Sequence, residues 1–260
     1  MALTYWEYLK INELLDLQQP KSTGPEHDET LFIIIHQVYE LWFKQMLHEG
    51  DRLARCLVAD EQPEACATLE RLLTILKTLV AQVDIIETMT PVSFTSFRSF
   101  LASSSGFESA QFREFEFALG HKRMSMVKHH ESNPPAMARL KRRYDEPTIY
   151  DAFLRFLVAR GYEVPASALD RDVTQPIEAM PEVQPLLIRA YHHDPPVRTV
   201  CESLVDLDEG LQEWRYRHVK MVERTIGMKM GTGGSAGVEY LRTTLFRPVF
   251  PDLWAIRSSL

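Results

Sequence analysis

The chain has 260 residues, 45% of them hydrophobic and 25% charged, with a formal net charge of -7. Such a length and apolar content can fill a buried core, while the mixed charge argues against nucleic acid or an anionic membrane as partner. No apolar run approaches the roughly 20 residues that span a bilayer, and the opening Met1-Ala-Leu-Thr-Tyr-Trp-Glu lacks the basic stretch and apolar core of an export signal.

In chain order, the apolar spacing is helical almost throughout. Tyr5, Tyr8, Leu9, Ile11, Leu14 and Leu15 mark a short amphipathic helix over about 5–18, stopped before Pro20. After a polar link, Lys21 to Glu26, Asp28 is placed to cap a long helix to about residue 59, with Glu40 and Lys44 as an i,i+4 pair. Glu61 to Met89 repeats Leu and Ile every three or four residues, which predicts a second long helix antiparallel to the first. Shorter helices are expected over about 92–102, 108–120 and 147–160, and Asn133-Pro-Pro135 and 164–185 read as connections. The basic run from His121 to Arg143 reads as a solvated connection. Asp194 and Pro195 suit the start of a last long helix, to about Met230, with a short helix over about 236–245. No stretch alternates long enough for a sheet, so the expected class is all-α, one unit of long helices with short accessory ones.

Three blocks carry chemistry. In Phe32-Ile-Ile-Ile-His36, a 3.6-residue period sets His36 on one face with Phe32, Ile33, Tyr39 and Phe43, so the imidazole points into an apolar interior. Taken alone this is a core histidine. In Phe94-Thr-Ser-Phe-Arg98, the i,i+4 spacing sets a guanidinium beside an aromatic wall, a fork suited to a carboxylate; taken alone it is a surface arginine. Ser105, Gly106 and Phe107 follow. His218 shares its face with Leu211, Trp214, Met221, Val222 and Ile226, and its helix runs into Gly231-Thr-Gly-Gly-Ser-Ala-Gly237. Those glycines reach conformations closed to other residues, so a loop that folds back and moves as a lid over 231–237 is expected.

These blocks, in this order, resemble the tryptophan 2,3-dioxygenase family, and the resemblance runs from Tyr5 to Gly237. It implies an all-α bundle that encloses haem b, one per subunit, with His218 as the axial ligand of the iron and with Ser105 and Gly106 passing over the haem. The Phe32–His36 segment, Ile33, Ile34 and Ile35 included, would then line the pocket for L-tryptophan, with His36 accepting from the indole N–H. Phe94 would enclose the indole, Arg98 would bind the carboxylate, and Thr232 would hold the amino-acid end. Relatives carry Tyr or Phe where Phe94 stands, and many carry a second serine where Ala236 stands. Thr4-Tyr5-Trp-Glu-Tyr8-Leu9 resembles the segment whose Tyr5, Tyr8 and Leu9 reach a neighbouring subunit's site, which implies a homotetramer built as a dimer of dimers. The implied reaction uses O2 to cleave the indole C2–C3 bond and gives N-formylkynurenine, the first step of tryptophan degradation by the kynurenine pathway.

Other chemistries fit less well. The glycine loop has the letters of a dinucleotide fingerprint but follows a helix, not a strand. His48-Glu49 does not complete HExxH, and no histidine has a glutamate three residues before it. Cys56, Cys66 and Cys201 form no CxxC pair and leave an odd thiol, which fits a cytoplasmic protein. Two alternatives stay open: a related haem monooxygenase that converts a substituted tryptophan to an oxindole, and a haem or tryptophan sensor without turnover.

Overall fold

In the computed structural model, residues 2–102, 104–231 and 237–260 are described. Among them there is no strand, and the order is α1 (Tyr5–Leu9), α2 (Ile11–Leu15), α3 (His27–Val58), α4 (Gln62–Ile86), α5 (Pro91–Arg98), α6 (Ala110–Ala118), α7 (Met124–His129), α8 (Pro134–Asp145), α9 (Ile149–Ala159), α10 (Ala166–Leu169), α11 (Gln184–His193), α12 (Pro195–Ile226), α13 (Val238–Arg242) and α14 (Pro251–Ala255). The expected all-α class is what the chain adopts. No described helix is long and apolar enough to cross a membrane.

Three long helices set the frame. Tyr39 donates its hydroxyl to the Leu79 carbonyl, Gln82 donates to the Ile35 carbonyl, and Arg71 pairs with Glu49. Rising numbers in α3 therefore meet falling numbers in α4, the antiparallel pair expected from the sequence. Along α12 the order runs the other way: Gly210 faces Leu76, and Arg217 pairs with Asp84 and Glu87. So α12 lies parallel to α4, which sits between the two. Leu53, Leu57, Leu69, Leu72, Leu204 and Leu207 are completely buried between these helices, each stabilising the bundle by about 1.5–3 kcal/mol through loss of apolar surface from water.

Several local expectations give way to other physics. The first helix is two, because Lys10 takes a left-handed backbone, φ 54°, between α1 and α2. Asp28 does not cap α3. Glu26 stands at that position without a side-chain bond, and the buried Glu29 instead accepts from the Lys21 and Ser22 backbones, tying down the polar link. Glu40 takes its bond from Gln111 of α6, and no ion pair with Lys44 forms among the described residues. Asn133-Pro-Pro135 opens a helix: the Asn133 side chain accepts from the Ala136 N–H, and prolines suit the first turn, where backbone donors have no partner.

The basic run is likewise structural. Lys122 is buried with its ammonium on the Tyr144 and Glu146 carbonyls, Arg139 pairs with Glu114, and Arg143 forks onto Asp51. At the other end, Asp194 caps α12 by accepting from Val197, as expected, and Gly227 at φ 60° ends that helix before Met230. His192 and His193 are exposed in the last turn of α11.

Candidate active site

A cavity of about 260 Å³ opens where α3, α5, α6, α12 and α13 meet beside the end of α4. Phe32, His36, Phe94, Arg98 and His218, from three separate stretches of sequence, all line it, together with Ser105 and Gly106. The structure thus gathers the three blocks at one place.

On α3, His36 Nδ1 lies 2.7 Å from the Phe32 carbonyl oxygen, one helical turn back. A carbonyl can only accept, so Nδ1 carries the proton and Nε2 keeps its lone pair for a donor in the cavity. Burial lowers the imidazole pKa, against the Phe32 carbonyl and the Glu40 charge, so the ring is neutral at pH 7. Phe32 packs on the His36 ring at 4.1 Å between centroids, and Phe94 and Phe97 stand 5.8 and 5.5 Å from Phe32. The result is an aromatic wall with one acceptor in it.

The i,i+4 spacing does bring Phe94 and Arg98 to the same cavity. The guanidinium donates to the Met230 carbonyl at 2.6 Å, just before the glycine loop. Of the other α3 residues, Ile35 turns into a core cluster with Val83 and Ile86, Ile34 is exposed, and Ile33 is half-buried outside the lining. A period of 3.6 turns Ile34 and Ile35 away from the His36 face, whereas Ile33, expected on that face, stands at its edge outside the lining. Tyr5, Tyr8 and Leu9 are 68%, 72% and 43% exposed, and the two N-terminal helices bury no residue within this chain. Thr232 and Ala236 lie outside the described residues, but Gly231 and Gly237 reach the cavity. Gly237 has φ 58°, and a Cβ there would meet the Lys229 carbonyl at 2.8 Å, so this position requires glycine.

On α12, the His218 ring stacks on Trp214 with centroids 5.3 Å apart and planes 6° from parallel. Trp214 is wedged in turn against Phe112 and edge-on to Phe43. The accessible part of His218 faces the cavity rather than bulk water, and burial, reinforced by His36 and Arg113, lowers its pKa to about 4. It makes no hydrogen bond with another described residue. Among the described residues no three His, Cys, Asp or Glu side chains gather to hold a bare metal ion. One neutral imidazole aimed into an apolar cavity is instead a donor set that would suit haem, whose macrocycle would bring the remaining nitrogen donors with it.

A charged corner escaped the sequence reading. Arg113, Glu116 and Arg215 also line the cavity, with Arg123 and His121 behind them. Glu116 accepts from Arg113 at 2.5 Å, from Arg123 at 2.9 Å and from Arg215 at 2.9 Å. Burial would raise the Glu116 pKa, but the charges of the three arginines outweigh it and hold the carboxyl at about 2. One signal was available, because Arg215 precedes His218 by three residues and so shares its face.

The sequence profile of tryptophan 2,3-dioxygenase matches residues 1–137 and 186–260, segments that contain the whole lining of the cavity. The chain is 59% identical over 259 residues to a tryptophan 2,3-dioxygenase of Herpetosiphon aurantiacus, covering 100% of this chain and 99% of that one. It is 55% identical to a tryptophan 2,3-dioxygenase of Anaeromyxobacter dehalogenans, covering 100% and 97%, and 42% identical to one from an Arthrobacter species, covering 99% and 92%. Similarity of this extent, with every cavity residue inside the matched segments, makes the chain a member of the tryptophan 2,3-dioxygenase family.

Proposed function

We propose that the chain uses O2 to cleave the C2–C3 bond of the indole of L-tryptophan, giving N-formylkynurenine, with haem b held in the cavity by His218. The observation that carries this reading is the meeting of two neutral imidazoles, His36 and His218, in one apolar cavity that also receives the Arg98 guanidinium. Family membership at 59% identity supports the reaction. Bound haem supplies the iron-centred oxidising chemistry; the protein's residues decide what meets it and how.

The indole N–H fits the acceptor of the aromatic wall, His36 Nε2, and the ring fits against the wall that Phe32 and Phe94 form together. Arg98 offers a planar pair of donors to the carboxylate once it leaves the Met230 carbonyl. Two anchors at opposite ends of the amino acid fix the C2–C3 edge, so orientation supplies much of the selectivity. The apolar lining keeps bulk water from the reaction. His36 orients through a hydrogen bond and is not required to remove a proton. Thr232 completes the amino-acid contact in this reading by resemblance. Phe94 has no hydroxyl, so Arg98 carries more of the carboxylate recognition.

The exposed Tyr5, Tyr8 and Leu9 belong, in this reading, to the site of a second copy, within a homotetramer arranged as a dimer of dimers. Three free thiols, two of them buried, suit a reducing cytoplasm. The test is to load the chain with haem, reduce it without oxygen, add L-tryptophan and O2, and weigh the product. A gain of two oxygen atoms is expected. A gain of one would make it a monooxygenase, and no product from a haem-loaded protein would sink the catalytic reading.

A further inference from the structure

The corner formed by Arg113, Arg215, Arg123 and Glu116 holds more positive charge than its own residues neutralise. The Arg113 and Arg215 side chains are 6% and 4% exposed, and a third guanidinium, Arg123, is 30% exposed, yet they share one carboxylate. His121 does not alter the balance. Its Nδ1 accepts from Arg215 and its Nε2 faces the Pro248 carbonyl, an arrangement that a neutral ring satisfies completely. Glu40, the other carboxylate on the cavity wall, is held by Gln111 and makes no ion pair with the corner among the described residues.

Buried charge without a counter-charge is costly, and a folded chain keeps it where a ligand completes the pairing. The corner is built for that. Arg113 is clamped between the Phe107 and Phe112 rings, 5.2 Å from each centroid, so its guanidinium cannot swing out to water. The Nε atoms of Arg113 and Arg215 are buried without a hydrogen-bond partner among the described residues. Tyr240, at the cavity wall, accepts from Arg123 and donates its own hydroxyl hydrogen to no other described residue. Donors and charge thus converge on one rim of the cavity that holds His218.

We propose that Arg113 and Arg215, with the Tyr240 hydroxyl beside them, receive the carboxylate side chains of haem, Glu116 holding the guanidiniums in place. This rests on the reading of the cavity as a haem site. It gives the two anions separate cations: Arg98 on α5 for the amino-acid carboxylate, and the α6–α12 corner for the haem carboxylates. The excess charge that is costly on its own becomes the attraction that seats the cofactor in one orientation.

The test is equilibrium titration of the haem-free full chain with haem and with haem dimethyl ester, in which both carboxylates are neutral, read at the Soret band. The wild-type chain is expected to bind haem at least about tenfold more tightly than the diester, the scale of one charged hydrogen bond. Arg113→Gln should lose most of that preference while its affinity for the diester stays unchanged. Equal binding of the two by the wild-type chain would overturn the proposal, as would an Arg113→Gln variant weakened equally toward both. Uptake of neither by the wild-type chain would remove the haem reading itself, a separate failure. Circular dichroism establishes that the variant is folded; if it is not, the wild-type comparison alone decides.

Discussion

In the proposed reading His36 and Arg98 do different work, and single substitutions separate them. With Nδ1 committed to the Phe32 carbonyl, the His36 ring contributes one accepting lone pair, so His36→Ala removes one neutral hydrogen bond worth about 1 kcal/mol. Turnover of the haem-loaded enzyme should fall by roughly fivefold and not vanish; complete loss with the haem spectrum intact would mean that His36 is an obligatory base. Arg98→Ala removes charged hydrogen bonds, each about 1.5–3 kcal/mol, and should raise KM by roughly ten- to a hundredfold, more than it lowers kcat. Glu116 matters for stability. Its folded pKa of about 2 lies below the ordinary glutamate value of 4.5, so the carboxylate's contribution is complete above pH 4.5 and is lost as pH falls through about 2. The unfolding free energy of the haem-free chain, from denaturant titrations, should drop across that interval by on the order of 3 kcal/mol from this group, and Glu116→Gln should flatten that part of the profile. An unchanged profile would mean that the arginines do not depress this carboxyl.

The helices show what could and could not be read ahead. The three long ones were legible because a 3.6-residue apolar repeat over more than twenty residues has no competing explanation, whereas His36, Phe94, Arg98 and His218, which line one cavity, stood out only through motifs that resemble the family, since spacing alone reads them as core histidines and a surface arginine. The α7–α8 region was not. Its prolines read as a break although they occupy the first turn of α8, and its basic residues read as solvated although their acidic and carbonyl partners lie far away in sequence. The charged corner was hidden for the same reason, as Arg215 and Glu116 stand 99 residues apart. What ends α6 is a case in point. Gly120, at φ 102°, turns the chain back so that Lys122 can be buried, and an added Cβ would collide with Ile177. Gly120→Ala should therefore cost at least about 1–2 kcal/mol from the left-handed backbone alone, with the Ile177 clash added. Thermal unfolding would measure it, and an unshifted midpoint would show that the turn can relax.

At the scale of the whole molecule the unbalanced part is the amino terminus. Tyr5, Trp6, Tyr8, Leu9 and Leu15 are exposed on helices of five residues each that bury nothing in their own chain. Helices this short do not persist in water without packing, since nucleation outweighs the few hydrogen bonds gained, and a run of large apolar side chains left in water marks a contact surface. A second copy that receives this segment accounts for both. The paired substitution Tyr8→Asp with Leu9→Asp would bury charge in that contact, and it touches neither His218 nor the core of its own chain. Sedimentation should then show a smaller assembly, and haem uptake should persist because the cavity is formed by α3, α5, α6, α12 and α13 of one chain. Activity should fall by roughly ten- to a hundredfold, as the aromatic side chains from the second copy no longer close the pocket and binding loses a few kcal/mol of apolar contact. Full activity from a dissociated, haem-loaded variant would show that one chain builds the pocket unaided, and the exposed segment would then serve assembly alone.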